Sequence, residues 1–173
     1  MTHLYGNKLT WKDDPVIVFR GKLDNFAAMI LEAQILGEEK GNSAFIQDLG
    51  GILEFTRGLL SAEYRGTPLG EFHLLGFSSR EVREQSHHPE KYLGRGHPLI
   101  EYAMGPLSLR LNLLRTAVRE VELAAVPAFK DEAAPGKFRR LDIMEALNRL
   151  SSLFYILMFK YLPEGCPPSD KKP

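Results

Sequence analysis

Ser108, Asn112, Arg115, Arg119 and Glu122 recur every three or four residues, the spacing that stacks side chains along one stripe of an α-helix. Every member is polar. One step round, Leu107, Leu111, Leu114, Val118, Val121 and Ala125 form an apolar stripe of the same period, with Leu113 and Ala117 on the far flank. Two arginines one turn apart in such surroundings do not describe a simple solvated face. Burying a guanidinium without an anion is costly, so Arg115 and Arg119 call for carboxylates from a neighbouring helix or chain, or for a phosphate-bearing ligand. A second segment repeats the logic. Ile143, Leu147, Leu150, Phe154, Leu157 and Tyr161 make a core stripe, and beside it lie Asn148, Ser151 and Tyr155, with Arg149 one step on. Two helices of this kind can enclose a polar cleft. An interhelical network of hydrogen bonds and salt bridges would use the same residue types. No nucleophile–base pair stands out.

The elements that must position these residues read as helices almost throughout, with hardly a strand signal. Asp13-Asp14-Pro15 predicts a capped helix start, followed by an apolar face through Ile17, Leu23, Phe26, Ala27, Ile30 and Leu31 and a stop at Gly37. Asn42 predicts the cap of a second helix running through Phe45, Leu49, Ile52, Leu53, Leu59 and Leu60. Its Gly50-Gly51 pair implies close packing. Ser78 and Glu81 form a capping box for a short third helix ending near Gln85. A loop rich in Gly, Pro and His, with His87, His88 and His97, leads to a long helix from about Pro98 to at least Ala125. Ala134-Pro135-Gly136 breaks the chain before a last helix, Asp142 to about Tyr161. The expectation is an all-α antiparallel bundle of about five helices, one domain over residues 1–162, and a disordered tail over 163–173.

Composition narrows the function classes. The chain has 173 residues, 44% of them hydrophobic, enough for a full core. Lys+Arg and Asp+Glu balance at 22 each, leaving no basic excess for nucleic acid or an anionic membrane. No apolar run approaches the roughly 20 residues that span a bilayer, and the N-terminus lacks a signal-peptide stretch. The single cysteine, Cys166, excludes an internal disulfide or a cysteine metal cluster. A cytoplasmic protein without a metal site of its own is expected.

Three segments, in order, resemble one family. Ala146-Leu147-Asn148-Arg149-Leu150-Ser151-Ser152 is similar to the Leu-Asn-Arg-Leu-Ser-Asp segment of ATP:cob(I)alamin adenosyltransferases. Leu114-Arg115-Thr116-Ala117-Val118-Arg119-Glu120-Val121-Glu122 resembles that family's Ala-Arg-Thr-x-x-Arg-Arg-Ala-Glu helix. Asp14-Pro15 with Gly21-Lys22-Leu23-Asp24-Asn25 resembles its Asp-Pro…Tyr-Gly-x-Val-Asp-Glu-Leu run. Ser86-His87, Tyr92-Leu93-Gly94 and His97 bring the pattern nearest the subclass used in ethanolamine utilization. Members of that subclass can carry an N-terminal Cys/His metal cluster. The chain begins where that extension would end, so dependence on that cluster is not expected.

The resemblance implies transfer of the 5′-deoxyadenosyl group of ATP to cob(I)alamin, giving adenosylcobalamin and triphosphate. The reduced cobalt is then the nucleophile, so the protein supplies orientation, charge neutralisation and water exclusion rather than a catalytic base. By match, Arg119 would contact the phosphates, Glu122 would help hold Mg²⁺ or order the ATP, and Asn148 would hydrogen-bond the nucleotide with Arg149 orienting it. Arg115 and Asp24 resemble a pair that meets across subunits, implying a homotrimer with sites between chains. Alignment puts Leu99, with Ile100 beside it, against the corrin face that loses its axial ligand; a hydrophobic staple at a helix start is the alternative for Leu99. His97 would belong to a lid over the corrin, and a reductase partner would supply the reduced cobalt.

Two departures stand out. Other branches hold ATP with a Thr-Lys-x-Gly-Asp-x-Gly loop, where this chain has Thr2-His3-Leu4-Tyr5-Gly6-Asn7-Lys8, leaving Lys8 as the cation on offer. The second arginine of the family's pair is Glu120 here. Three other readings use the same residues. The di-metal bundle enzymes need Glu-x-x-His from each of two helices, a pair this chain does not carry. A non-catalytic trimer could bind adenosylcobalamin or ATP as carrier or sensor. A scaffold bundle could satisfy its arginines with Asp24, Glu122 or their like.

Overall fold

Asp14 begins the bundle. Its carboxylate accepts from the Val16 amide at 2.9 Å, Pro15 occupies the first turn, and helix α1 runs Pro15–Glu39. This computed structural model describes residues 1–6 and 8–166; Asn7 and the tail from residue 167 lie outside the described residues. Before α1, strands β1 (Thr2–Tyr5) and β2 (Lys8–Thr10) pair antiparallel, Thr2 opposite Thr10 and His3 opposite Leu9, with a register shift before Tyr5. Helix α2 (Ser43–Arg65) starts at Asn42, whose side chain accepts from the Phe45 amide, and ends on Gly66 in the left-handed region. A small hairpin of β3 (His73–Leu74) and β4 (Phe77–Ser78) leads into α3 (Ser79–His87), where the reciprocal Ser78–Glu81 capping box is complete. Helix α4 (Pro89–Leu93) follows, then an extended segment and a 3₁₀ turn at Tyr102–Met104. Helices α5 (Gly105–Phe129) and α6 (Leu141–Lys160) complete the chain.

The four long helices α1, α2, α5 and α6 form the bundle, with α5 packed between α1 and α6, and α3 laid against α6. Periodic apolar residues meet at the centre. Phe19 packs edge-on to Phe129 at 4.9 Å, Phe26 to Phe154 at 5.9 Å, and Phe45 to Tyr161 at 5.0 Å, tying α1 to α5, α1 to α6, and α2 to α6. Aromatic pairs of this kind contribute about 0.5–1.5 kcal/mol each beyond their burial. Of the predicted stripes, Leu111, Leu114, Val118, Val121 and Ala125 of α5 and Ile143, Leu147, Leu150, Phe154 and Leu157 of α6 are buried, while the end members Leu107 and Tyr161 are only partly so.

The all-α bundle is observed, and several local expectations are corrected. The described residues contain six α-helices, because α4 forms at Pro89 within the predicted loop. Helix α5 starts at Gly105 rather than Pro98: Glu101 is extended before the 3₁₀ turn, and Gly105 after it lies at φ 76°. Gly37 does not end α1. It is buried inside the helix, and a Cβ there would lie 2.8 Å from Phe45 Cδ1, so the glycine admits α2 rather than terminating α1. Leu31 is exposed instead of joining the α1 core face. Two hairpins appear where hardly a strand was expected, and the turn of one, rather than a helix, crowds Gly51 of α2: a Cβ there would meet Leu75 Cδ2 at 3.0 Å, whereas one on Gly50 would make only an ordinary contact with Gln34. Residues 163–166 make a turn, with Cys166 N–H donating to the Pro163 carbonyl and Arg95 Nη1 donating to the Cys166 carbonyl.

Candidate active site

The polar stripes of α5 and α6 face each other. Asn148 donates from Nδ2 to Glu122 Oε1 at 3.1 Å, and Arg149 Nη2 makes a short hydrogen bond to Asn148 Oδ1. Both ends of the Asn148 amide are therefore engaged, which fixes its orientation. Helix geometry accounts for the meeting: Glu122 and Asn148 each stand next to the buried stripe of their own helix, at the seam where α5 and α6 pack.

Arg119 and Arg115 stand one and two turns earlier on α5. Arg115 is half-buried and donates from Nε and Nη2 to the neutral Asn112 Oδ1, at 3.1 and 2.9 Å. Burial, then the neighbouring Arg119 charge, lowers its pKa from the usual guanidinium value. Arg119 is exposed and has no hydrogen-bond or ion-pair partner among the described residues. Arg149 is likewise depressed, by burial first and then by Arg83 of α3. Four guanidinium groups thus border one face with Glu122 and Glu145 nearby, and Arg115 and Arg119 meet no carboxylate. Such a surface favours an anion. Glu120, the departure from the family pattern, turns toward α1 and lies 3.9 Å from Lys22.

Further along α6, Tyr155 is hydrogen-bonded to His97 Nδ1 at 2.9 Å, across 58 positions of sequence. Burial pushes the phenol up to about 12, so it keeps its proton, and the imidazole tautomer sets which partner donates. This bond ties the segment carrying Leu99 and Ile100 to α6. Leu99 is 54% exposed and Ile100 39%. Leu99 lies well before the start of α5, so the staple reading fails.

Other expected residues lie elsewhere. Asp24 is exposed on α1 without a hydrogen-bond or ion-pair partner among the described residues, so Asp24 and Arg115 do not pair within the chain. Lys8 is exposed on β2, also without such a partner. Its hairpin is held on α1 and α2: Arg20 donates to Glu63 Oε2 at 2.7 Å and to the Leu4 carbonyl at 2.6 Å, and Tyr5 donates to Glu63 Oε1 at 2.6 Å. Arg20 also lies over the Tyr5 and Tyr64 rings. His87 and His88 are exposed. One Glu-x-x-His spacing does occur, Glu84 to His87, but Glu84 is taken by Arg80 at 2.8 Å. Among the described residues no three His, Cys, Asp or Glu side chains converge as a metal site would require.

Sequence reasoning had placed Arg115, Arg119, Glu122, Asn148 and Arg149 along one cleft, and the packing of α5 on α6 brings Asn148 together with Glu122 and Arg149. It missed the Tyr155–His97 bond and the approach of Arg83. Tyr155 follows Asn148 by seven residues on the same stripe, a usable signal; nothing in the sequence paired it with His97.

A family model described as cobalamin adenosyltransferase matches residues 1–161. Corrinoid adenosyltransferase EutT of Escherichia coli (strain K12) is 35% identical over 158 residues, covering 91% of this chain and 57% of that protein. Corrinoid adenosyltransferase EutT of Salmonella typhimurium is 34% identical over the same shares. The chain thus spans little more than half the length of these curated relatives. No solved structure matches it. No helix among the described residues is long and apolar enough to cross a membrane.

Proposed function

Since the chain belongs to the cobalamin adenosyltransferase family, we propose that it transfers the 5′-deoxyadenosyl group of ATP to the Co(I) centre of a reduced corrinoid. In this reaction the cobalt electron pair forms the Co–C5′ bond. The C5′–O bond breaks, and its electron pair leaves with triphosphate. No protein nucleophile or base is needed, and none is prominent in the cleft.

The observation that carries this reading is the arginine pair. Arg115 and Arg119 meet no carboxylate among the described residues, while Asn148 across the seam is locked by Glu122 and Arg149. A triphosphate leaving group is the ligand such a cleft suits. Arg119 neutralises the phosphates, Asn148 and Arg149 hold the nucleotide, and Glu122 orders it or the Mg²⁺ that accompanies ATP. Electrostatic stabilisation of this kind contributes about 10²–10³ per donor in rate. Leu99 and Ile100, held by His97 on Tyr155, offer the apolar surface for the corrin face that has lost its axial ligand.

A homotrimer completes the site. Asp24 of one chain and Arg115 of the next would form the interchain pair, consistent with both lacking an ionic partner among the described residues. Lys8 would reach the nucleotide of a neighbouring site through its anchored hairpin. A reductase supplies Co(I), and the protein works in the cytoplasm.

The N-terminal hairpin lacks the glycine-rich loop and is bound to its own α1 and α2, which favours a second reading. In that reading the trimer binds ATP or adenosylcobalamin as a carrier or sensor without transfer. Anaerobic incubation with MgATP and cob(I)alamin separates the two. Light-sensitive adenosylcobalamin, with triphosphate released in equal amount, supports the transferase. Saturable binding without turnover supports the carrier.

A further inference from the structure

The stripe that carries the site on α6 does not end at Tyr155. Asn148, Ser152, Tyr155 and Phe159 follow at steps of four, three and four, and so share one face over about 16 Å at 1.5 Å per residue. Phe159 packs edge-on against Tyr155 at 5.2 Å. Beyond it opens a cleft of about 520 Å³, walled by Leu75, Phe77, Leu93, Ile156 and Phe159. Its volume is that of a small-molecule site, typically about 300–1,000 Å³. At its mouth Lys160 pairs with Asp48 at 2.7 Å, its side chain half-exposed. The proposed transfer makes no use of this cleft.

Resting on the corrinoid reading above, we propose that this cleft receives the lower-axial nucleotide of the corrinoid once it has left cobalt. The order of features along α6 carries the proposal. Asn148, with Arg119 the nearer of the two α5 arginines, lies toward one end, Arg115 stands with Tyr155 and the His97–Tyr155 bond that holds Leu99 and Ile100 in the middle, and the apolar cleft lies at the other end. A corrinoid receiving an adenosyl group has its chemistry laid out in the same order: triphosphate donor on one face, macrocycle, then the displaced base on the opposite face. The occupant is a planar aromatic base on a ribose phosphate. Its apolar ring matches the Leu, Ile and Phe walls, whose burial by a ligand is favourable. Its phosphodiester would replace Asp48 on the half-exposed Lys160 ammonium at the mouth, Asp48 keeping the Tyr161 hydroxyl as its donor. The half-buried state of Leu75, Phe77, Leu93 and Phe159 leaves the walls open to a ligand without unfolding any element.

The test compares cob(II)alamin with cob(II)inamide, which lacks the lower nucleotide, by anaerobic absorbance titration of the protein with MgATP present. Wild-type protein binds cob(II)alamin at least about tenfold tighter than cob(II)inamide. Leu93→Trp, filling the cleft, brings the cob(II)alamin affinity down to that of cob(II)inamide and leaves the latter unchanged. If Leu93→Trp does not fold, Lys160→Glu at the exposed mouth serves in its place, with the same selective loss. Equal wild-type affinity for the two corrinoids, or equal weakening of both in a folded variant, overturns the assignment. Failure of the wild-type protein to bind either corrinoid overturns the functional reading itself, a result separate from the loss of discrimination.

Discussion

Glu122 and Asn148 are joined across the α5–α6 seam by a 3.1 Å hydrogen bond from the amide nitrogen to the carboxylate. The bond leaves the amide oxygen to Arg149, so one side chain couples an anion to a cation. Asn148→Ala removes both contacts and strands Glu122 and Arg149. Leaving such polar groups unsatisfied costs about 1–3 kcal/mol, which corresponds to roughly ten- to hundredfold weaker ATP binding. Titration calorimetry with ATP measures it. Asn148→Asp is worse, because two carboxylates then face each other. ATP affinity unchanged in Asn148→Ala removes Asn148 from the nucleotide site.

In the proposed trimer, Asp24 of one chain would pair with Arg115 of the next. Asp24→Arg sets like charges against each other at the proposed contact and shifts the trimer to smaller species, as does Arg115→Asp. The double variant, Asp24→Arg with Arg115→Asp, restores the pair and the trimer. Light scattering of the three proteins decides the matter. Single variants that remain trimeric, with no rescue to observe, would show that these residues do not meet.

Tyr155 gives the fold an alkaline limit. Its phenol is raised from 10.0 to about 12 by burial, so the folded state holds the proton more tightly than the unfolded chain. That contribution is fully present below pH 10 and is lost as pH rises toward 12. Urea midpoints measured across this window fall less steeply in Tyr155→Phe than in wild type. The same variant frees the His97 segment, and hydrogen exchange around residues 94–101 quickens. Identical pH slopes in the two proteins would contradict the assignment.

Glu63 is 3% exposed and bonded to both Arg20 and Tyr5. Glu63→Ala leaves a guanidinium inside the bundle without its counter-charge, a loss of about 3–5 kcal/mol, or roughly 10 °C in Tm for a chain of this size. Tyr5→Phe, deleting one hydrogen bond, costs about 1 kcal/mol. Thermal unfolding by circular dichroism reads both. Equal, small effects would mean that the hairpin is held chiefly by Leu4 in the core.

Residues whose environment is set by helical period were legible in the sequence: the buried stripes of α5 and α6, and the Asp14, Asn42 and Ser78 caps, follow from spacing and local hydrogen bonding. Features made by distant contacts were not. Gly37 reads as a helix end because glycine is usual there, yet the approach of Phe45 demands it inside the last turn of α1. The start of α5 slipped because Pro98 resembles a first-turn proline, while the chain stays extended to seat Leu99 and Ile100 beside the Tyr155–His97 bond. Tyr5, Arg20 and Glu63 are scattered over 58 positions, and no local pattern could have joined them.

Arg119→Ala is the most direct test of the central claim, that the α5–α6 cleft binds the triphosphate of ATP during adenosyl transfer. Arg119 is exposed and bonded to no described residue, so its removal leaves the bundle intact. Wild type and variant are assayed side by side, anaerobically, with MgATP and cob(I)alamin, by the disappearance of the cob(I)alamin absorbance. The account predicts protein-dependent adenosylcobalamin formation by wild type and a loss of at least about 10²-fold in the variant, with helicity and oligomeric state unchanged. Unchanged turnover in Arg119→Ala would contradict it.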